Sequence, residues 1–347
     1  MVSTQNIFDA ISEEDTSFWL ETCKLLDWET FPESCFRGSF SNPSWFSDGR
    51  LNVCYNCVDR HYRNNPNKTA LIWAQNDGLY EYISYEKLFS MVNAYAFFLK
   101  EKGIQKGDVV AIHNTMTPHS VYAMLACARI GAIHTVIFAG FSGDYVKERV
   151  RDSHAKMLLS GYIGFRGDKK IVLHEKVRDI TVPVYFFPDK RVSFDGVSTV
   201  IDIDLYASQI VEPVSVFSND PLFVLYTSGS TGKPKGLVHG SGGYLTYVSY
   251  TTKVLFQDFV VSTHCCVADL GWITGHSYVV YGPLALGMTS VLFESTPYYP
   301  DANRYWKLIE DCKAESFYTA PTALRSAIEK NKKSVPCLEF HLSSSKV

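Results

Sequence analysis

Tyr226-Thr227-Ser228-Gly229-Ser230-Thr231-Gly232-Lys233-Pro234-Lys235-Gly236 is the stretch on which the reading of this chain turns. Gly229, Gly232 and Gly236 let the backbone approach a ligand closely, while Thr227, Ser228, Ser230 and Thr231 supply hydroxyls and Lys233 and Lys235 supply positive charge. Such a loop suits phosphate oxygens. Gly/Ser/Thr-rich stretches also serve as flexible linkers. Here the apolar run Leu222-Phe223-Val224-Leu225-Tyr226 leads into the loop and reads as a buried strand, and the Gly/Tyr/Val segment behind it is able to turn back onto a sheet. A strand running into a glycine loop is where α/β folds bind nucleotides. The P-loop of NTPases fails on spacing: Thr227 stands where its first glycine belongs, and Lys233 is followed by Pro234, which has neither a hydroxyl nor an N–H to offer.

Outward from the loop, short β-rich runs alternate with helical stretches. Thr69 to Trp73 reads as a strand, followed by Leu88, Val92, Tyr95 and Leu99 at helical spacing behind the N-cap candidate Ser84. Val109 to Ile112, a helix from Pro118, Ala132 to Phe138, a charged helix from Ser142 to Asp152 and a strand from Lys156 to Ser160 come next. Strands near 222–227, 263–268, 288–294 and 316–320, with a helix over Asp301 to Cys312, complete the pattern. The alternation predicts parallel strands joined by crossover helices, an α/β fold. Residues 161–221 are irregular and rich in Gly and Pro, and a subdomain junction is expected there.

With 347 residues and 46% hydrophobic side chains the chain has enough apolar material for sizeable cores. A net charge of −3 excludes a generally basic nucleic-acid binder, so any polyanionic ligand has to be met by local clusters. Nine cysteines with no evident framework favour a reducing compartment, and the acidic Met1–Glu21 segment without Lys or Arg is unlike a mitochondrial presequence, so the cytosol is expected. Cys54 and Cys57 form a C-x-x-C, but a second pair at zinc spacing is absent, which leaves metal or redox use against packing on a helix; Cys265-Cys266 is most simply buried. Residues 121–141 are long and mostly apolar, yet Arg129, Gly131 and His134 argue against a membrane span and for a helix closed by Gly131 and a buried strand, with Thr117-Pro118 as N-cap and first helical residue.

The 226–236 loop closely resembles the phosphate loop of the adenylate-forming enzymes. The flanks resemble acetyl-CoA synthetases: Trp45-Phe46 with Asp48-Gly49 and Leu51-Asn52, then Asn56 to His61, Met124 to Ala132, Val136 to Ser142, Ala268-Asp269-Leu270-Gly271-Trp272-Ile273-Thr274-Gly275-His276-Ser277-Tyr278, and Tyr318 to Thr322, all in order. The resemblance implies two successive α/β subdomains of the adenylate-forming large domain. It makes residues 1–68 the family's N-terminal helical and extended segment and 69–347 a partial AMP-binding domain. Members of that family are longer, and the adenine, ribose and hinge segments and the lysine-bearing C-terminal domain that follow in them have no counterpart in these residues. Ser345-Lys346-Val347 stands where a further strand should begin, so an N-terminal portion, inactive alone, is expected.

What the resemblance implies for chemistry is an acetate–CoA ligase using ATP, CoA and Mg²⁺, with no nucleic-acid or membrane partner and no protein metal site. Its phosphate-binding residues would be Thr227, Ser228, Gly229, Ser230, Thr231, Gly232 and Lys233, with Lys235 either touching phosphate or solvated. Trp272, Ile273 and Thr274 would belong to the acetate pocket, with Ile273 as a wall, Thr274 facing the thiol channel, and Trp272 expected mainly as a packing residue. His276 is expected to hydrogen-bond structurally rather than to catalyse. Lys233 and Thr274 would be the catalytic residues. CoA would meet Phe138, Ala139 and Gly140 at its adenine and Arg166-Gly167-Asp168-Lys169 at its 3′-phosphate, although that turn could also be a solvated charge cluster. A propionate-preferring relative and a non-catalytic nucleotide-, CoA- or protein-binding fragment are the alternatives.

Overall fold

The computed structural model describes residues 13–39, 42–227, 234–257 and 263–331. Two twisted sheets carry the fold. Their strands, in chain order, are β1 (Thr69–Ala74), β2 (Tyr80–Ser84), β3 (Val109–Asn114), β4 (Ile133–Phe138), β5 (Met157–Ser160), β6 (Ile163–Arg166), β7 (Lys169–Val172), β8 (Val184–Phe186), β9 (Pro221–Thr227), β10 (Lys235–Gly240), β11 (Thr263–Cys266), β12 (Thr289–Phe293) and β13 (Ser316–Tyr318). The first sheet has the order β8-β5-β3-β4-β9-β10 and the second β13-β11-β12-β1-β2, while β6 and β7 form a separate hairpin. All neighbours in the two sheets are parallel except β9–β10 and β1–β2. The α/β class with parallel sheets is as expected.

The sheets are interleaved along the chain. β1 and β2 precede the whole first sheet, yet β1 pairs with β12, which follows it, and β2 joins that sheet through β1. The 161–221 stretch, expected to hold the junction, supplies the β6–β7 hairpin and the edge strand β8 of the first sheet. Behind the glycine loop the chain does turn back, as β10 antiparallel to β9, but the Gly/Tyr/Val segment after it is a helix, Gly242–Thr252, rather than sheet.

Local signals account for the connecting helices. Helix α1 (Tyr85–Glu101) starts where expected, with the Ser84 hydroxyl accepting from the Lys87 amide at 3.1 Å. Helix α2 (Pro118–Ile130) has Thr117 at its N-cap and ends at Gly131 with φ +70°, a backbone state that only glycine enters cheaply. Thr117 does not cap with its side chain; its hydroxyl accepts from Asn114 Nδ2 at 2.8 Å instead. The apolar run 121–141 thus divides into α2 and β4, and no helix among the described residues is long and apolar enough to cross a membrane. Arg129, which argued against a span, is 1% exposed and forms a two-pronged ion pair with Asp59, itself 3% exposed, at 2.7 and 3.0 Å. Cys54, Cys57, Cys265 and Cys266 are buried free thiols in the core.

Several imidazoles are buried with them. Burial pushes His113 and His276 down to about 3 and His264 to about 4, and lowers His134 as well. His134 Nε2 lies 2.5 Å from the Tyr281 hydroxyl, while its Nδ1 and the Nε2 of His276 have no partner. A histidine held neutral in the fold binds more protons once unfolded. Its contribution is therefore intact above about pH 6.5 and is lost as pH falls from there toward the folded value. Urea unfolding should give constant stability at pH 7–8 and a decline below pH 6.5 with a slope of about 1.4 kcal/mol per pH unit for each such histidine. A flat profile down to pH 5 would contradict the neutral buried histidines.

Candidate active site

The carboxyl ends of the two sheets face a common cleft, the usual ligand position in α/β folds. A cavity of about 920 Å³ lies there. Thr115, Met116, Phe138 and Ala139 line it from the ends of β3 and β4, and Phe165 and Arg166 from β6. The second sheet contributes Cys266 to Asp269 after β11, Phe293 to Ser295 after β12, and Tyr318 to Ala320 after β13. Trp272, Ile273 and Thr274 complete the wall.

The turn that presents these last residues is tightly built. Asp269 Oδ1 accepts from the Gly271 amide at 2.8 Å and its carbonyl accepts from the Trp272 amide at 3.1 Å. A Cβ on Gly275 would stand 2.1 Å from that same carbonyl oxygen, so only glycine fits. Burial raises the Asp269 carboxyl above its ordinary range, opposed by the Gly271 hydrogen bond and the charge of Arg166. His276 lies beneath, fully buried, with Nδ1 3.3 Å from the Trp272 carbonyl and its ring 4.6 Å from Phe223. Its hydrogen bond is the structural one expected. Trp272, expected in the acetate pocket and mainly as a packing residue, is 52% exposed and stands at the cavity rim, 6.4 Å from the Phe138 ring. Ile273 is 43% exposed beside it.

Phe138 also carries the Arg166 guanidinium over its face at 5.1 Å. Arg166 and Lys169 are paired across the β6–β7 hairpin, whose turn is Gly167-Asp168, with Gly167 at φ +64°. Lys169 does not line the main cavity. It borders a shallow neighbouring depression with Gly143, Lys170 and Lys176. Between the two hollows runs the 138–143 segment, where Lys176 Nζ donates to the Ala139 carbonyl at 2.8 Å and a Cβ on Gly140 would meet the Phe138 ring at 2.4 Å.

Of the phosphate-loop residues, Ser228, Gly229, Ser230, Thr231, Gly232 and Lys233 lie outside the described residues. Thr227 and Lys235 are described, exposed, and opposite each other at the ends of β9 and β10. Since Phe223 pairs with His134, that register carried forward brings Thr227 level with Phe138. The loop therefore springs from the same end of the sheet as the cleft. Among the described residues no group of three or more His, Cys, Asp or Glu side chains is placed to hold a metal ion.

Sequence reasoning missed a charged cluster at the cavity floor. Glu294 is 2% exposed; both of its oxygens take hydrogen bonds from Arg191, at 2.6 and 3.0 Å, and Oε1 takes one from Thr115 at 3.2 Å. Asp189 holds the same guanidinium at 2.8 and 3.0 Å. Burial raises the Glu294 carboxyl, and Arg191 pulls it back. A lone acid directly after the apolar run Val291-Leu292-Phe293, at a strand's carboxyl end, was the available signal.

The comparisons with known proteins agree with this architecture. The AMP-binding enzyme family matches residues 58–345, and the acetyl-coenzyme A synthetase N-terminus matches residues 4–57. An acetyl-coenzyme A synthetase of Bdellovibrio bacteriovorus is 41% identical over 349 residues, covering 95% of this chain and 53% of that protein. One from Dictyostelium discoideum is 40% identical over 332 residues, covering 91% and 49%. In fold, the chain is similar to the acetoacetyl-CoA synthetase from Streptomyces lividans, with a TM-score of 0.84 at 23% identity over 92% of this chain and 51% of that one. The chain spans about half the length of the curated relatives it matches. It belongs to the AMP-binding enzyme family, and it opens with the N-terminal segment of acetyl-coenzyme A synthetases.

Proposed function

We propose that the protein carrying this chain is an AMP-forming acetate–CoA ligase, with residues 1–68 as its leading segment and 69–347 as part of its AMP-binding domain. An acetate oxygen attacks the α-phosphorus of ATP, the bond to the bridging oxygen breaks, and pyrophosphate leaves. The CoA sulfur then attacks the acetyl carbon, the carbon–oxygen bond to AMP breaks, and the thiol proton passes to solvent. Lys233 and the hydroxyls of Thr227, Ser228, Ser230 and Thr231 hold the β and γ phosphates, with Lys235 at the loop's foot. Mg²⁺ arrives on the phosphates. Ile273 and Trp272 close on the methyl group, Thr274 faces the incoming thiol, and Phe138 to Gly140 with Arg166 to Lys169 receive the CoA nucleotide. Buried free thiols are in keeping with a cytosolic setting.

The observation that carries this reading is the shared cleft. One cavity joins the Trp272–Thr274 turn to Phe138, Ala139 and Arg166, at the end of the sheet from which the glycine loop springs. AMP formation that requires acetate, ATP and CoA together is the test; AMP formed at the same rate without acetate would overturn it. Acid choice is tested by Ile273→Ala. Enlarging the pocket should improve propionate relative to acetate by roughly one methylene's worth, ~1–3 kcal/mol in kcat/KM. An unchanged ratio would remove Ile273 from the acyl wall, and a wild-type preference for propionate would reassign the substrate.

A further inference from the structure

We infer that Asn76 is a positioning residue for the nucleotide end of CoA, acting through the hairpin turn that carries Arg166. The inference rests on the reading of Arg166 as the cation that meets the CoA 3′-phosphate. Asn76 belongs to the turn between β1 and β2, on the second sheet, and is 9% exposed. Its side-chain amide grips Gly167 in both directions. Nδ2 donates to the Gly167 carbonyl at 2.9 Å, and Oδ1 accepts from the Gly167 amide at 2.6 Å. Ser295, next to Glu294 at the cavity floor, donates to the same Oδ1 at 2.9 Å and so fixes the amide's orientation.

The gripped residue could hardly be other than glycine. Gly167 has φ +64°, and a Cβ there would stand 3.0 Å from Thr296 Oγ1. A pair of four-residue strands is marginal by itself. Asp168, Lys169 and Lys170 on its outer side are exposed. The anchor is firm by comparison: the Glu294 amide donates to the Ala74 carbonyl at 2.9 Å, and Arg304 donates to the Gln75 carbonyl at 2.8 Å. Arg166 precedes the gripped glycine and lays its guanidinium on Phe138. A planar fork recognises phosphate through its orientation as well as its charge, so the clamp that fixes the turn fixes the recognition.

The test is calorimetric titration of this chain with CoA and with 3′-dephospho-CoA, for wild type, Asn76→Ala, Asn76→Asp and Arg166→Met. The wild type should prefer CoA by about tenfold, one charge-assisted contact's worth. Asn76→Ala should lose most of that preference by weakening CoA alone, leaving 3′-dephospho-CoA unchanged. Asn76→Asp keeps the shape and the acceptor for the Gly167 amide and should fall between, which also serves if the alanine variant folds poorly. A purely structural residue would weaken both ligands alike. Equal weakening, or a preference retained in Asn76→Ala while Arg166→Met abolishes it, overturns the clamp and leaves the CoA reading intact. A wild type without preference, matched by Arg166→Met, overturns the reading of Arg166 and the clamp with it.

Discussion

An Asp59→Ala variant is expected to be less stable than wild type by about 3–5 kcal/mol. Arg129 has almost no contact with water, and its guanidinium is held by both Asp59 oxygens, by the Val211 carbonyl and, at 3.6 Å, by Cys54 Sγ. Phe89 covers one face of the guanidinium, 5.4 Å from its ring centre. Removing the carboxylate leaves a buried cation without the counter-charge that offsets its desolvation. The pair also joins the helical stretch at 55–64 to α2, and so ties the leading segment to the first sheet. Replacing both partners, Asp59→Leu with Arg129→Met, should recover most of the loss, because the cost lies in the orphaned charge rather than in a missing contact. Urea unfolding of the single and double variants measures this. A loss below about 1 kcal/mol for Asp59→Ala, the level of an exposed pair, would mean that water reaches the site.

Lys233→Ala is expected to lower turnover by about 10²–10³ while leaving the KM for acetate nearly unchanged. Negative charge is redistributed over the phosphate oxygens as pyrophosphate leaves, and a fixed cation on the β and γ phosphates acts there and not on the acyl group. Initial rates with ATP and acetate varied separately distinguish the two effects. Unchanged turnover would remove Lys233 from the catalytic residues, and a large rise in the KM for acetate alone would place it at the acyl end.

Much of the fold was legible because each signal is local. Ser84 three residues before Lys87, Pro118 at a helix start, Gly131 at its end, and the short apolar runs at 69–74 and 133–138 fix their elements through nearest-neighbour backbone chemistry. The interleaving of the sheets was not legible, because β1 pairs with β12 across more than half the chain, and no periodicity reports such pairing. The site divides in the same way. The glycine, hydroxyl and lysine cluster at 226–236 announces itself by composition, whereas 272–274 stood out only through its resemblance to the family. Asn76, Arg191 and Glu294 are single polar residues in unremarkable surroundings, and their roles arise only where the two sheets meet. Trp272, expected mainly as a packing residue, stands at a rim, and only the turn closed by Gly275 sets it there.

In the reading proposed above, the cleft between the sheets activates acetate as an acyl-adenylate. Exchange of labelled pyrophosphate into ATP isolates that step from thioester formation. With the protein carrying this sequence, exchange should require acetate, proceed without CoA, and fall by about 10²–10³ in Lys233→Ala. Exchange that proceeds equally well without any carboxylic acid, or no exchange with acetate at saturating ATP, would contradict acetate adenylation in this cleft.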